Sequence, residues 1–172
     1  IVPSNIWDDI DETGHNRNAK YELMKIFFEL QTSDVFKTPK PTKFIEQILK
    51  ISIQKDDIIL DSFAGSGTTA HAVMNLNKQD GGNRKFILIE MEDYADTITA
   101  ERVKRVAKGH GEGTKSVEGK GGSFDYFELG ESLFLNENIN EAVEIEKIRE
   151  YIWYSETRSS YIKTNQTEPY LL

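Results

Sequence analysis

The feature that most constrains this chain is a strand–turn–helix signal in residues 57–73. Ile58, Ile59 and Leu60 form an apolar run short and β-branched enough for a buried strand. Asp61 sits where that strand should end, the turn Gly65-Ser66-Gly67 comes shortly after, and Thr68-Thr69-Ala70-His71-Ala72-Val73 reads as the first turns of a helix. A strand that enters a helix through a glycine turn presents backbone N–H groups to a nucleotide-like ligand. A second apolar run, Phe86-Ile87-Leu88-Ile89, is closed by Glu90. Two buried strands separated by a helix predict a βαβ unit, an α/β fold and a parallel sheet. The right-handed crossover places the glycine turn and Glu90 at the same carboxyl edge.

The residues at that edge narrow the ligand. A phosphate-binding P-loop is excluded, because Gly67 is followed by Thr68 where lysine is required. Gly65-x-Gly67-x-x-Ala70, with Glu90 about 20 residues on, is similar to a dinucleotide pattern. Taken alone it also fits an ordinary strand–helix turn. Asp61 shifts the balance, since a carboxylate at the strand end suits an ammonium group and repels a pyrophosphate. The pattern favours a cationic nucleoside bearing an amino acid, such as S-adenosylmethionine, with Glu90 accepting from the hydroxyls of its ribose. A nicotinamide-dependent oxidoreductase is the competing enzyme reading, and Asp61 argues against it.

The chain has 172 residues, 38% of them hydrophobic, enough for one good core. Residues 1–130 are expected to form the ligand-binding part and residues 131–172 a C-terminal helical extension. There is no apolar run of about 18 residues to span a membrane. No secretory signal is visible and there is no cysteine, which removes disulfide and zinc–cysteine scaffolds and makes a cytoplasmic location the expectation. His15, His71 and His110 have no partners at ligand spacing, so no metal site is expected. The formal charge of −8 is unlike a freestanding nucleic-acid-gripping domain, so any such surface is expected elsewhere. The opening residues, from Ile1 to Trp7, read like the middle of something longer.

Further expectations follow in chain order. Trp7, beside Asp8, Asp9 and Asp11, reads as one buried aromatic in an acidic loop. Asn18 is expected to cap a helix running to about Leu30, with Leu23, Ile26 and Phe27 inward. Pro39 and Pro41 force an extended segment, and Pro41 is placed at the first position of a helix carrying Phe44, Ile45, Ile48 and Leu49 on its apolar face. The helix after the glycine turn is expected to end near Asn77. Another is expected over residues 94–108, with Ile98, Val103 and Val106 inward and Arg102, Lys104, Arg105 and Lys108 solvated. Residues 109–122 are glycine-rich and read as a mobile loop, and residues 123–129 alternate like a third strand. Asn138 or Asn140 is expected to cap a last helix to about Trp153, with Ala142, Ile145, Ile148 and Ile152 inward. Tyr154, Tyr161 and Tyr170 could dock on a partner or lie in a frayed end.

Three elements together carry a resemblance: Phe36-Lys37-Thr38-Pro39-Lys40-Pro41, then Asp61-Ser62-Phe63-Ala64-Gly65-Ser66-Gly67-Thr68-Thr69, then Phe86-Ile87-Leu88-Ile89-Glu90. The set resembles the cofactor half of amino-group DNA methyltransferases, and in particular the methylation (Mod) subunits of type III restriction–modification systems, which methylate adenine N6. Gly81-Gly82-Asn83-Arg84-Lys85, Glu101-Arg102-Val103 and Gly122-Ser123-Phe124 agree with it, and the match covers about residues 7–129. The resemblance implies a partial Rossmann-like methyltransferase fold, the cofactor-binding half of a mainly parallel sheet with flanking helices.

By matching position, it implies that Phe36, Lys37, Pro39 and Lys40 line the methionine end of S-adenosylmethionine. Asp61 faces its ammonium; Phe63, Ala64, Gly65, Ser66, Gly67 and Thr68 form the turn beneath; Glu90 holds the ribose. Met91 packs on the adenine or is an ordinary core residue. These enzymes hold the flipped base with an Asp/Asn-Pro-Pro-Tyr/Phe element, and this chain, with 4 prolines, has no adjacent pair. No catalytic residue is therefore assigned here. The catalytic and target-recognition elements are expected upstream, in the other half of the same protein. The implied partners are that half, DNA, a second Mod chain and a restriction (Res) subunit, with a catalytically inactive interaction scaffold as the alternative.

Overall fold

The computed structural model describes residue 7 and residues 9–162; Tyr170, Pro3 and Pro169 lie outside them. By its internal contacts the chain divides into two units, Ile1–Tyr126 and Phe127–Leu172.

The first unit is built around one buried helix. Its elements are α1 (Ile10–Thr13), α2 (Asn16–Ile26), α3 (Thr42–Ser52), β1 (Ile58–Asp61), α4 (Thr68–Asp80) and β2 (Lys85–Leu88). A π-helical turn (Ala95–Ala100) then enters α5 (Glu101–Lys108), and β3 (Gly109–His110) pairs with β4 (Val117–Glu118). β1 and β2 are parallel, with Ile59 opposite Phe86 and Asp61 opposite Leu88. Helix α4 joins them and is buried around most of its circumference, as a helix sandwiched between layers must be. Ala70 and Met74 face a core of Leu23, Ile26, Phe27, Ile98, Val103 and Val106 from α2 and the α5 segment. Ala72, Val73 and Leu76 face Leu49 of α3 and the inner residues Ile59 and Phe86 of the sheet.

The sheet is covered on one face only. Its other face leaves Ile58 and Leu60 each 62% exposed, with Ile87 and Ile89 beside them. The expected parallel sheet is thus a single pair among the described residues, and β3–β4 is antiparallel. Residues 109–122, expected to be a mobile loop, form this hairpin, because Lys120 and Gly121 donate to the carbonyls of Val106 and Ala107 at 2.9 and 3.0 Å and dock it on the end of α5.

Several boundaries differ from expectation for local reasons. Helix α2 is capped by His15, whose Nδ1 accepts from the Arg17 amide at 2.9 Å, and not by Asn18. It stops at Ile26 because Arg105 donates to the Ile26 carbonyl at 2.9 Å and stacks on the Phe27 ring. Pro41 sits one position earlier than expected, as the N-cap of α3. Helix α4 continues to Asp80, three residues past Asn77, and ends where Gly81 turns left-handed at φ 67°. Arg84 grips the Asp80 carboxylate there through two bonds, at 3.0 and 2.9 Å, which hold its pKa down at about 2. Residues 123–129 form no strand: Phe124 packs on the core while Phe127 and Leu129 lie exposed. Trp7 is half exposed and meets Phe44 edge-to-face.

The largest correction concerns Arg102. Expected on a solvated face, it is 0% exposed, and its guanidinium meets Nδ1 of buried His71 at 3.1 Å. Arginine can only donate, so His71 accepts through Nδ1 and is neutral. Lys104 and Lys108 are exposed as expected, and Arg105 pairs with Glu29 and Glu101.

The second unit contains an antiparallel pair, β5 (Phe134–Leu135) with β6 (Asn138–Ile139), and the helix α6 (Ile145–Thr157). Neither Asn138 nor Asn140 caps that helix. Asn138 belongs to β6, and buried Asn140 bridges the Ser132 carbonyl and the Ala142 amide at 2.9 and 3.1 Å. Of the four residues expected inward only Ile148 is buried. Trp153 and Tyr161 meet edge-to-face.

Two outcomes are expected. Leu23→Ala, at a fully buried position between α2 and α4, should cost roughly 2–5 kcal/mol in urea unfolding. Burial, reinforced by the charges of Arg102, Lys120 and His110, holds the His71 pKa well below its ordinary 6.5. The unfolded chain therefore binds a proton that the folded chain refuses. Stability should be full above about 6.5 and fall as pH drops below it, by at most about 1.4 kcal/mol per pH unit. His71→Gln should flatten that slope, leaving the share of His110, whose pKa is also lowered by burial. A slope unchanged by the substitution would contradict this assignment.

Candidate functional site

The carboxyl ends of β1 and β2 are tied together just past the ladder. The Ile89 amide donates to the Asp61 carbonyl at 2.9 Å, and the Ala64 amide donates to the Ile89 carbonyl at 3.0 Å. The chain then enters α4 through Gly65 and Gly67, at φ 53° and 73°. A side chain at either position is strained by that conformation alone. At Gly65 it would also press on the Phe36 ring, 3.3 Å from the ideal Cβ position, and at Gly67 on the Thr99 carbonyl at 3.1 Å. Two hydrogen bonds fix the turn from within and from behind: the Gly67 amide reaches the Ala64 carbonyl at 2.8 Å, and the Thr99 hydroxyl reaches the Gly65 carbonyl at 2.5 Å.

Both acids of the sequence pattern border this turn. Asp61 accepts from the Phe63 amide at 3.1 Å and from the Thr69 hydroxyl at 2.5 Å, each with a different oxygen. A carboxylate has about four acceptor positions, so Asp61 keeps room for a further donor. Glu90 is more committed. It accepts from the amides of Gly65, Met91 and Glu92 at 2.8, 2.9 and 3.1 Å. Burial pushes the Glu90 pKa up, but these donors more than offset it and leave it below the ordinary value. Three backbone donors occupy most of its acceptor positions and leave room for about one further donor.

The proline-bracketed loop reaches the same place. Half-buried Phe36 lies against Gly65 and meets Tyr94 edge-to-face at 5.2 Å between ring centroids. Pro39 is buried, while Lys37 and Lys40 are exposed. The Lys40 carbonyl accepts from the Thr68 hydroxyl at 3.4 Å. Ala64, Ser66 and Thr68 are buried beneath the turn, whereas Phe63 and Met91 stand out from it, 85% and 89% exposed. Met91 is therefore no core residue. All the pattern residues except Lys37 and Pro39 are joined to the turn or to the acids by a contact named here or by adjacency within the turn.

Several residues that organise the site escaped the sequence reading. Lys20 of α2 donates to the carbonyls of Val35 and Phe36 at 2.7 and 2.8 Å and so sets the entry to the loop. One Arg102 nitrogen, Nη1, donates to Ser66 Oγ at 3.1 Å, the Ser66 carbonyl at 3.3 Å and Thr68 Oγ1 at 2.9 Å. The other, Nη2, reaches Thr42 Oγ1 at 3.1 Å, Glu22 at 3.4 Å and His71. Burial lowers the Arg102 pKa to about 10 against the charge of Glu22, so it stays protonated near neutral pH. One signal was legible: Ile98, Arg102 and Val106 recur every four residues, which puts the arginine in an apolar helical stripe.

Among the described residues no group of His, Cys, Asp or Glu could hold a metal ion, and no helix is long and apolar enough to cross a membrane. Comparison with known proteins adds the following. Residues 1–101 match the family model for DNA methylases of the N6/N4 type. The Mod subunit of the type III restriction-modification enzyme StyLTI from Salmonella typhimurium is 42% identical over 118 residues, 60% of this chain and 17% of that protein. The type II methyltransferase M.KpnI from Klebsiella pneumoniae is 46% identical over 85 residues, 49% of this chain and 19% of its own length. The probable HindVI type III Mod subunit from Haemophilus influenzae is 33% identical over 126 residues, 72% of this chain and 15% of its own. The chain thus spans less than a fifth of each of these relatives. With its glycine turn, flanking acids and proline-bracketed loop lying inside or beside the matched segment, the chain belongs to the DNA methylase family.

Proposed function

We propose that this chain is the S-adenosylmethionine-binding part of a Rossmann-like, site-specific DNA methyltransferase that acts on adenine N6 within a type III restriction–modification system. The observation that carries the reading is the joining of Asp61, the Gly65–Gly67 turn and Glu90 at one strand edge. The residues fit the cofactor. Asp61 retains acceptor capacity for an ammonium group, and the missing Cβ atoms at Gly65 and Gly67 keep the turn low beneath Phe36 and above Thr99.

In this reading Asp61 takes the ammonium of the methionine end, and the turn from Phe63 to Thr68 supports it from below. Phe36, Lys37, Pro39 and Lys40 line its flank. Glu90 takes a ribose hydroxyl beside its three backbone donors, and exposed Met91 covers the base. When bound, S-adenosylmethionine supplies an electrophilic methyl group on a sulfonium. The chain's own residues bind and orient it. An element that holds the target base is not among them, because no Asp/Asn-Pro-Pro sequence is present.

Residues elsewhere in the same protein supply that element and the DNA-reading surface, which agrees with the acidic charge here. They also cover the open face carrying Ile58, Leu60, Ile87 and Ile89, since parallel sheets are covered on both faces. Residues 131–172 form an extension to the cofactor-binding part. DNA, a second Mod chain and a restriction subunit are the partners of the intact system, which operates in the cytoplasm.

Calorimetric titration with S-adenosylmethionine tests the reading. The wild-type chain should bind, and Asp61→Ala and Glu90→Ala should each weaken binding by about tenfold or more, as expected for loss of a charged hydrogen-bond partner. A folded wild-type chain that binds no cofactor, but forms a complex with a restriction subunit or a second Mod chain, would favour an interaction scaffold instead.

A further inference from the structure

Arg102 lies beneath the glycine turn, and its burial has no parallel among the other cations of the first unit near the site: Lys37, Lys40 and Lys43 are all exposed. A fully buried guanidinium is costly unless its donors are used and its charge is offset. Here the Nη donors are used in two separate directions, while the buried Nε has no hydrogen-bond partner. Nη1 is spent on the turn and the first residue of α4, through Ser66 Oγ, the Ser66 carbonyl and Thr68 Oγ1. Nη2 is spent on Glu22 of α2, Thr42 at the start of α3 and His71, one turn further along α4. Thr42 directly follows the Lys37–Pro41 loop, and its hydroxyl is itself fixed to Glu22 at 2.5 Å. The planar fork therefore sets the height of the turn relative to the end of the proline-bracketed loop.

We propose that Arg102 is a positioning residue for the methionine end of the cofactor, acting through Ser66, Thr68 and Thr42 without touching the ligand. This rests on the reading of the site as an S-adenosylmethionine platform. The adenosine end is held by Glu90, whose backbone donors Gly65, Met91 and Glu92 include none of the Arg102 partners, although Gly65 adjoins Ser66. Loss of the fork should then act on one end of the ligand and spare the other. General damage to the fold would act on both.

Arg102→Lys keeps the charge beside Glu22 but replaces a rigid fork by a single ammonium, which cannot serve both directions at once. Thr42→Val is nearly isosteric, removes the Nη2 acceptor at the loop end, and remains informative if the lysine variant does not fold. Affinities of the wild type and both variants should be measured by calorimetry for S-adenosylmethionine, S-adenosylhomocysteine and 5′-methylthioadenosine, the last lacking the amino-acid end, with urea midpoints taken in parallel. Arg102→Lys should weaken the two amino-acid-bearing ligands by about tenfold while changing methylthioadenosine by about twofold or less. Thr42→Val should show the same selectivity at a smaller size. Equal losses for all three ligands, or no loss in a folded variant, would overturn the positioning role while leaving the platform in place. A folded wild type that binds none of the three would remove the platform, and the positioning role with it.

Discussion

A protonated guanidinium held entirely out of water is the constraint on which the candidate ligand edge, at Asp61 and Glu90, depends. Arg102 has one carboxylate within reach, Glu22 at 3.4 Å, and otherwise relies on neutral oxygens and a neutral histidine nitrogen. Such a group is tolerated only when nearly all of its donors are met, and here the acceptors come from α2, α3, the glycine turn and α4. Shifting any of these elements would strand a donor in the interior. The polar centre thereby demands one arrangement of the helices, whereas the apolar contacts around α4 would accept several.

The surrounding packing is consistent with that role. Helix α4 carries small residues, Ala70 and Ala72, where neighbours approach from both sides, and larger ones, Val73, Met74 and Leu76, where they must be met. Its N-terminus is fixed by the turn and its C-terminus by Gly81 and the Arg84–Asp80 pair. With both ends held, the parallel pair β1–β2 can carry Asp61 and Glu90 to one edge at a fixed register. Rigidity beneath the site and openness above it, at Phe63 and Met91, suit an edge that receives a ligand.

Much of this was legible in the sequence. The apolar runs at Ile58–Leu60 and Phe86–Ile89, the glycine turn and the inward set Ile98, Val103 and Val106 follow from periods that do not depend on distant contacts. Arg102 was misassigned because its type outweighed its position: an arginine is usually solvated, and only the stripe it shares with Ile98 and Val106 argued otherwise. Residues 123–129 alternate like a strand, but a strand needs a neighbouring edge, which alternation cannot supply. The hairpin of residues 109–122 escaped because glycine content signals permitted conformations and not whether a surface, here the end of α5, will select one. Lys20, Thr42 and Thr99 act on partners distant in sequence, so nothing local marked them.

The central claim is that a methyl-donor platform lies at the carboxyl ends of β1 and β2. Backbone amide shifts of the labelled chain, followed during titration with S-adenosylmethionine, test it most directly. The account predicts saturable shifts concentrated at residues 61–68 and 90–92, with the loop at residues 36–40 moving alongside. Shifts centred away from that edge would contradict it, and so would a well-dispersed spectrum that the ligand leaves unchanged.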